Sequence, residues 1–547
     1  MEREPPRATS DEIDLYIRTY YSLLRSSGDV RVRSFEEAHI YSESSLHAGA
    51  RETEPDVAAF AYSAARLPVC MPGIKRIVLG QSKEQFESAG FNVREWTRVT
   101  TRGRRRPMRW DSKQTLACFL TSSSDIDDLI PIVTAYQIEW NKLHTLLNRK
   151  DALQQNDLDV LSDAFSGELA VNLARVEQAP LDLNVRLLSA SLVEYQRAAQ
   201  RWWSEVEPVY LGSNGERRPV YFVSSNTHVL ANLFGGYARL NRNTILEFAR
   251  NTNPENLAPH LEQAIASGDE HEIANCSYYL LHKWLNQSAN SERSRAVQLS
   301  DEACGITTIP SPGHIDVTAQ IIELSKLDPL ALDPRIAVDD LALLRKSDAL
   351  ILNIDYPLGM AAYHLLSRLA QGVRQLRGVY VMGKAATLNG KVGDVMIGGI
   401  TYDAHSENTF LFRNCFSGAD LQPYVRNVMV LDGQKAVTVR GSFLQNRKFM
   451  NVFYRDAYTV LEMEAGPYLS AIYEMVYPKR HPSDEIVHLS TLTSFDVGIL
   501  HYASDTPYSR RQNLLSKSLS YFGVDGTYAC GTAIARRILS AEIARLR

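Results

Sequence analysis

Ala349-Leu350-Ile351-Leu352-Asn353-Ile354 is an uninterrupted apolar run of strand length. AAYHLLSRLAQGV, residues 361–373, follows with apolar residues at helical spacing. Val379-Tyr380-Val381-Met382 is a second run of strand length, and Asp394-Val395-Met396-Ile397 a third. A strand with no polar alternation is buried on both faces, as strands are when helices cover a sheet. Strand, helix and strand at this spacing read as a βαβ unit. We therefore expect an α/β domain over residues 301–547, with a largely parallel central sheet flanked by helices. Ligands of such sheets bind beyond the carboxyl ends of the strands. The segments that follow these runs are where chemistry is expected.

Upstream the pattern differs. Residues 11–27 carry apolar residues at helical spacing, and 28–125 are mixed, with short runs such as Ile77-Val78-Leu79 and Ala117-Cys118-Phe119-Leu120. From 126 to 206 the period is helical, and Leu211-Gly212-Ser213-Asn214-Gly215 ends that stretch. Pro219 to Ser224 reads as a buried strand, and the following Ser225-Asn226-Thr227-His228 as the start of a helix. Ser225 or Asn226 is the expected cap, and His228 is expected to be structural. A polar stretch at 286–294, NQSANSERS, reads as a linker. These shifts divide the chain into a mixed α/β region over 1–125, a mainly helical region over 126–300, and the α/β domain.

The 547 residues are 45% hydrophobic and 22% charged, with a net charge of −4. That composition is ordinary for a globular protein and gives no electrostatic case for nucleic acid or an anionic membrane. The opening MEREPPRATSDEID lacks a basic and an apolar segment, so no secretory signal is expected, and no run is long enough to span a membrane. Cys70, Cys118, Cys276, Cys304, Cys415 and Cys530 form no close pair, which fits reduced thiols and a cytoplasmic location. No metal ligand cluster and no cofactor are expected. The basic run Arg102-Gly103-Arg104-Arg105-Arg106, with Arg109 beside it, reads as a solvated loop; a phosphate-binding or partner-docking patch is the alternative.

Three segments of the α/β domain carry candidate chemistry. Asp355-Tyr356-Pro357-Leu358-Gly359 follows the first strand. Gly383-Lys384-Ala385-Ala386-Thr387-Leu388-Asn389-Gly390 follows the second, and its small residues let backbone approach a ligand. The third set is Leu461-Glu462-Met463-Glu464-Ala465 together with Ser504-Asp505-Thr506. Cleavage of an N-glycosidic bond passes through a ribose with cationic character, which a carboxylate on its hydroxyls favours. The departing base needs a proton, which a second carboxyl can supply.

The run ILNIDYPLG, RGVYVMGKAATLNGKVGDVMIG, LEMEA and ASDT, in that order, resembles the nucleoside phosphorylase superfamily, which also includes hydrolytic nucleosidases. The resemblance covers the last 45% or so of the chain. It implies that Glu464 holds the ribose hydroxyls, with Met463 packed on the sugar and Glu462 beside it. Asp505, with Ser504 next to it, acts as general acid at the base. Gly383, Lys384, Ala385, Asp355 and Gly359 line the sugar and base. Phe443 stacks on the base, with a core aromatic as the other reading.

The superfamily's phosphorylases hold phosphate with arginines, one of them at the position that Val381 occupies here. Loss of that bidentate contact favours hydrolysis over phosphorolysis. A water mechanism needs a general base, for which Asp355, His314, Asp316 and Glu323 are candidates. His405, Asn408, Arg510 and Arg511 are further candidates for substrate contact, the two arginines toward a substrate phosphate. The expectation is a purine nucleoside or nucleotide nucleosidase. A phosphorylase and a non-catalytic nucleotide sensor on the same fold are the alternatives. The resemblance also implies a homo-oligomer.

Overall fold

The structure is a computed structural model that describes residues 11–26, 28–104, 106–149, 153–286, 291–311, 315–477, 480–489, 493–506 and 521–547. The expectations placed on Arg105, His314, Arg510 and Arg511 lie outside the described residues.

Two sheets organise the chain. The first contains β1 (Asp29–Arg31), β2 (Arg76–Gly80), β3 (Thr97–Val99), β4 (Met108–Trp110), β5 (Thr115–Phe119) and β6 (Asn184–Leu187), in the order β1-β6-β2-β5-β4-β3. One face is covered by α1 (Val57–Ala65) and α2 (Ser124–Asn148), whose Phe60, Ile130, Val133 and Tyr136 pack on Ile77, Leu79, Leu116 and Cys118.

The second sheet contains β7 (Pro219–Ser224), β8 (Ile306–Ile309), β9 (Ala319–Glu323), β10 (Leu350–Ile354), β11 (Gln375–Thr387), β12 (Val395–Asp403), β13 (Thr409–Leu411), β14 (Val430–Thr438), β15 (Tyr458–Glu462), β16 (Ile486–His488) and β17 (Asp496–Asp505). Alternate side chains of its buried strands serve opposite faces. Val220, Phe222, Leu350, Leu352, Val379 and Val381 meet α3 (Leu192–Leu211), α5 (Met360–Gly372) and α6 (Ala465–Val476). Tyr221, Val223, Ile351, Tyr380 and Met382 meet α4 (Val229–Gly235) and α7 (Val524–Leu546). The break expected near residue 300 is therefore corrected. β7 lies between β10 and β11, so this layered body already includes the segment from 192 onward.

The sheet is mixed, which corrects the expectation of a largely parallel one. β10 and β11 run parallel to β7, β17 to β11, β14 to β12 and to β15, and β16 to β13. β8–β9, β9–β10, β11–β15, β12–β13 and β12–β17 are antiparallel. The antiparallel links close a ring, β11-β17-β12-β14-β15 and back to β11. A five-stranded ring is narrow, and its interior takes one side chain from each strand: Ala385, Met396, Ala436, Val460 and Ala503.

The ring also corrects the segment after Met382. Gly383 to Thr387 is not a loop but the end of β11, which bulges between Ala385 and Ala386. The turn comes later. The Thr387 hydroxyl accepts from Gly390 N–H (2.9 Å), and Asp394 accepts from Lys391 N–H (2.8 Å) and Met429 N–H (2.9 Å).

Ala503→Leu tests the ring. It forces extra carbons into a closed interior and should cost about 1–3 kcal/mol, read as a lower urea midpoint with unchanged slope. An unaltered midpoint would mean that the five strands do not close on this residue.

Candidate functional site

β11 holds the site together. Ala386 pairs on one side with Leu461 of β15 and on the other with Asp505 of β17. The two carboxyl segments, 462–464 and 504–505, therefore flank the end of one strand, although 39 residues of chain lie between them. Ser504 Oγ is 2.7 Å from Asp505 Oδ2 and 3.3 Å from the Ala385 carbonyl oxygen. Lys384 pairs with Tyr502 in the same register.

Glu462 and Glu464 are two residues apart and do different work. Glu462 is buried, and both its oxygens are taken by protein. Oε1 accepts from the Thr438 hydroxyl, and Oε2 from the backbone N–H of Glu464 (2.7 Å) and Ala465 (2.6 Å). It caps the start of α6, where the helix dipole favours a carboxylate. The expectation that it binds substrate is corrected on that ground. Glu464 is half-buried, and its Oε1 accepts from Gly359 N–H at 3.5 Å. Burial, then the charge of Glu462, push its carboxyl up to about 8, against the opposing pull of Arg104. A strongly perturbed carboxyl beside a second acid is a mark of functional sites.

Gly359 has φ +51°, and a Cβ there would stand 2.2 Å from Ser124 Oγ. The close approach brings in the first body. Ser124, at the first turn of α2, accepts from Met360 N–H (2.9 Å) and bonds His405 Nε2 (3.2 Å). His405 Nδ1 is 3.0 Å from Asp403 Oδ1. Both ring nitrogens thus join protein to protein, and His405 is a bracket between β12 and α2 rather than a substrate contact. Asn408 is likewise committed, to the Pro482 carbonyl (2.8 Å) and Glu485 N–H (3.0 Å).

Phe443 is corrected too. Its ring is 1% exposed and packs edge-on against Tyr62 (5.4 Å between centroids), with His39 and His47 beside it, in the core of the first body. Ala385 fills the ring interior. Met463 is buried among Leu358, Tyr402, Val439 and Met450, and its sulfur lies 3.6 Å from Arg104 Nη2. Val381, at the expected phosphate position, is core. At Gly383 a Cβ would meet only His501, at 3.9 Å.

Among the candidate general bases, Glu323 pairs in register with Leu350, at the opposite end of β10 from Asp355, and is bound to Arg218 (2.9 Å) and Lys326 (2.6 Å). Asp316 is paired with Arg98 (3.2 Å). Asp355 remains at the carboxyl end of β10, buried, with its Oδ1 accepting from Tyr356 N–H (2.9 Å). The Tyr356 hydroxyl meets that of Tyr502 (3.0 Å). Asn226 is the cap of the two expected, accepting from His228 N–H (3.2 Å) and Val229 N–H (2.8 Å). His228, Asn226, Lys384, His282 and Tyr502 line a cavity of about 260 Å³ beyond β7 and β11. Burial, then the charges of His282 and Lys384, push His228 down to about 3, so its ring is neutral there.

The basic run is not a solvated loop. Arg106 is buried and pairs with Asp125 (3.1 Å) and Asp128 (3.0 Å). Arg104 grips Asp128 with Nε (3.1 Å) and Nη2 (3.2 Å). Nη2 also donates to Ser442 Oγ (3.1 Å), which in turn donates to Asp128 Oδ1 (3.1 Å). Although Asp128 is buried, the charges of Arg104 and Arg106 hold its carboxyl down at about 2. Sequence reasoning missed this cluster. Its signal was the acid-rich Ser122-Ser123-Ser124-Asp125-Ile126-Asp127-Asp128, which begins sixteen positions after Arg106, the end of an arginine run of opposite charge.

Among the described residues no group of three or more His, Cys, Asp or Glu could hold a metal ion, and no helix is long and apolar enough to cross a membrane.

The family described as "Family of unknown function (DUF6909)" matches residues 32–156 and 150–540. No curated protein matches the chain. Solved structures similar to it include a protein assigned as a methylthioadenosine nucleosidase from Weissella paramesenteroides, 12% identical with a TM-score of 0.27, over 47% of this chain and 96% of that one. Another is the 5′-methylthioadenosine/S-adenosylhomocysteine nucleosidase of Neisseria meningitidis in complex with methylthio-immucillin-A, 12% identical with a TM-score of 0.29, over 45% and 95%.

Asp128→Asn should destabilise the protein by about 3 kcal/mol, because Arg104 loses its ion-pair partner and the buried Arg106 keeps only Asp125. The Asp128 carboxyl is depressed from 3.8, so its contribution is complete above about pH 4 and fades as pH falls toward about 2. The deficit of the variant in urea unfolding should therefore be constant from neutral pH down to about pH 4. A variant as stable as the wild type would refute the clamp.

Proposed function

The chain belongs to the family of unknown function DUF6909, and from that premise we propose that it hydrolyses the N-glycosidic bond of a purine nucleoside or nucleotide. One observation carries the reading: Asp505 and the turn that bears Glu464 flank the same residue of β11, Ala386. It is supported by the elevated Glu464 carboxyl and by the resemblance of the GKAATLNGKVGD, LEMEA and ASDT segments to nucleosidases.

In this mechanism the C1′–N bond breaks with its electron pair going to the base. Asp505 supplies the proton that the departing purine takes up at N7. Glu464 accepts hydrogen bonds from the ribose hydroxyls, and its negative charge grows in value as the sugar becomes cationic. Water then bonds to C1′ and loses a proton to a nearby base, the role we give to Asp355. The products are free purine and ribose or its phosphate. Val381 in the core leaves the end of β11 without the arginine that phosphorolysis uses, which supports water as the nucleophile.

The test is base release from adenosine, inosine, methylthioadenosine, AMP and ATP, with and without inorganic phosphate. Asp505→Asn should lower kcat by about 10²–10⁴-fold, and Glu464→Ala should abolish measurable turnover. An absolute requirement for phosphate would replace hydrolysis by phosphorolysis. Turnover unaltered in both variants would end the assignment of roles.

The pH profile gives a second check. The active form of Glu464 is ionised, and its free carboxyl ionises at about 8. kcat/KM, which reports groups of the free enzyme, should carry a limb that rises with pH up to about 8. Glu464→Gln should remove that limb.

A further inference from the structure

Arg66 follows α1 and is 8% exposed. Its guanidinium carbon lies 3.3 Å from the centre of the Tyr62 ring, and Nη1 donates to the Tyr62 carbonyl oxygen (3.0 Å). Nε is buried without a hydrogen-bond partner. Among the described residues no carboxylate is ion-paired with it. The acids nearby are committed elsewhere. Asp128 holds Arg104 and Arg106. Asp125 takes Arg106 on Oδ1 and, on Oδ2, the N–H (2.6 Å) and hydroxyl (2.7 Å) of Thr121.

A guanidinium cannot escape burial by losing its proton, so an uncompensated one is costly. Stacking on Tyr62 offsets part of that cost, but leaves its donors unsatisfied. Arg104 points the same way. It uses Nε and Nη2 on Asp128, Ser442 and Met463, which leaves Nη1 outside these contacts, and its side chain is 19% exposed. Each arginine is also close enough to one proposed catalytic acid to act on it electrostatically, Arg104 on Glu464 and Arg66 on Asp505.

We propose that Arg66, with Arg104, forms an anion subsite where the first body meets the Ser442 and Met463 segments of the second, and takes the phosphoryl group of a nucleotide substrate. The fork of a guanidinium matches two phosphoryl oxygens, and a dianion there supplies the hydrogen-bonded counter-charge that Arg66 lacks among the described residues, since Asp128 and Asp505 act on it only through their charge. The inference rests on the proposed function for the identity of the ligand, but not for the existence of the subsite. The same chemistry would also take free phosphate, and the experiment separates the two sources.

The measurement is thermal unfolding of the full chain with inorganic phosphate, adenosine and AMP, followed by base release from adenosine and AMP. AMP should raise the melting temperature by at least about 2 °C more than adenosine. Arg66→Gln should erase that difference and raise KM about ten- to a hundred-fold more for AMP than for adenosine. If phosphate alone stabilises the protein and accelerates adenosine cleavage, with AMP no better than adenosine, the nucleotide assignment is overturned in favour of free phosphate. If no substrate is cleaved yet AMP still stabilises through Arg66, the proposed function fails while the subsite stands. Equal effects of AMP and adenosine, with none from phosphate, overturn the subsite. Should Arg66→Gln not fold, Arg66→Lys decides: it retains the charge without the fork and should retain only part of the AMP preference.

Discussion

Asp128, itself buried, takes two guanidiniums at once, from the half-buried Arg104 and the buried Arg106, at distances of 3.0 to 3.2 Å. Such a group is stable only if every charge has a partner, because none can be left to water. Ser442 completes the cluster from the second body by donating to Asp128 and accepting from Arg104. The clamp therefore does more than steady the 102–106 segment. It sets the first turn of α2 against the 440–444 segment, where Arg440 meets Asp127 (2.9 Å) and Phe443 enters the core of the first body.

The consequences reach the site through short links. Ser124, four residues before Asp128, bonds Met360 N–H and His405, and occupies the space that only a glycine at 359 can leave. Gly359 N–H in turn faces Glu464. The first body thus contacts the second at Gly359 and Met360, beside Glu464. Arg104 of the first body opposes the rise of the Glu464 carboxyl, so the charge state of Glu464 depends on how the two bodies dock.

The strands of the α/β body were legible because burial on both faces demands unbroken apolar runs, as in Leu350–Ile354 and at Val379 to Met382. The segments that carry Glu464 and Asp505 were singled out through resemblance, as short motifs at strand ends, and in the fold both lie beside Ala386. The roles of their neighbours were not. Glu462 and Glu464 have the same chemistry and differ only in that Thr438 and two helix N–H groups face one of them. His405 resembled a substrate ligand because nothing in its own segment reveals Ser124, 281 residues earlier, on its other nitrogen. Gly383 to Thr387 resembled a loop because its small residues suit a turn and the inside of a narrow ring equally well.

By itself the sequence determined the buried strands at Leu350–Ile354 and Val379 to Met382, where the carboxyl groups fall along the chain, and that position 381 carries no guanidinium. These follow from local patterning and residue type. Tertiary structure alone decided the mixed sheet, the union of β7 with strands more than a hundred residues later, and the burial of Arg66, Arg104 and Arg106. Strand direction depends on ring closure, and the state of an arginine depends on which acids reach it. Both are set by contacts between residues far apart in the chain, which no periodicity records.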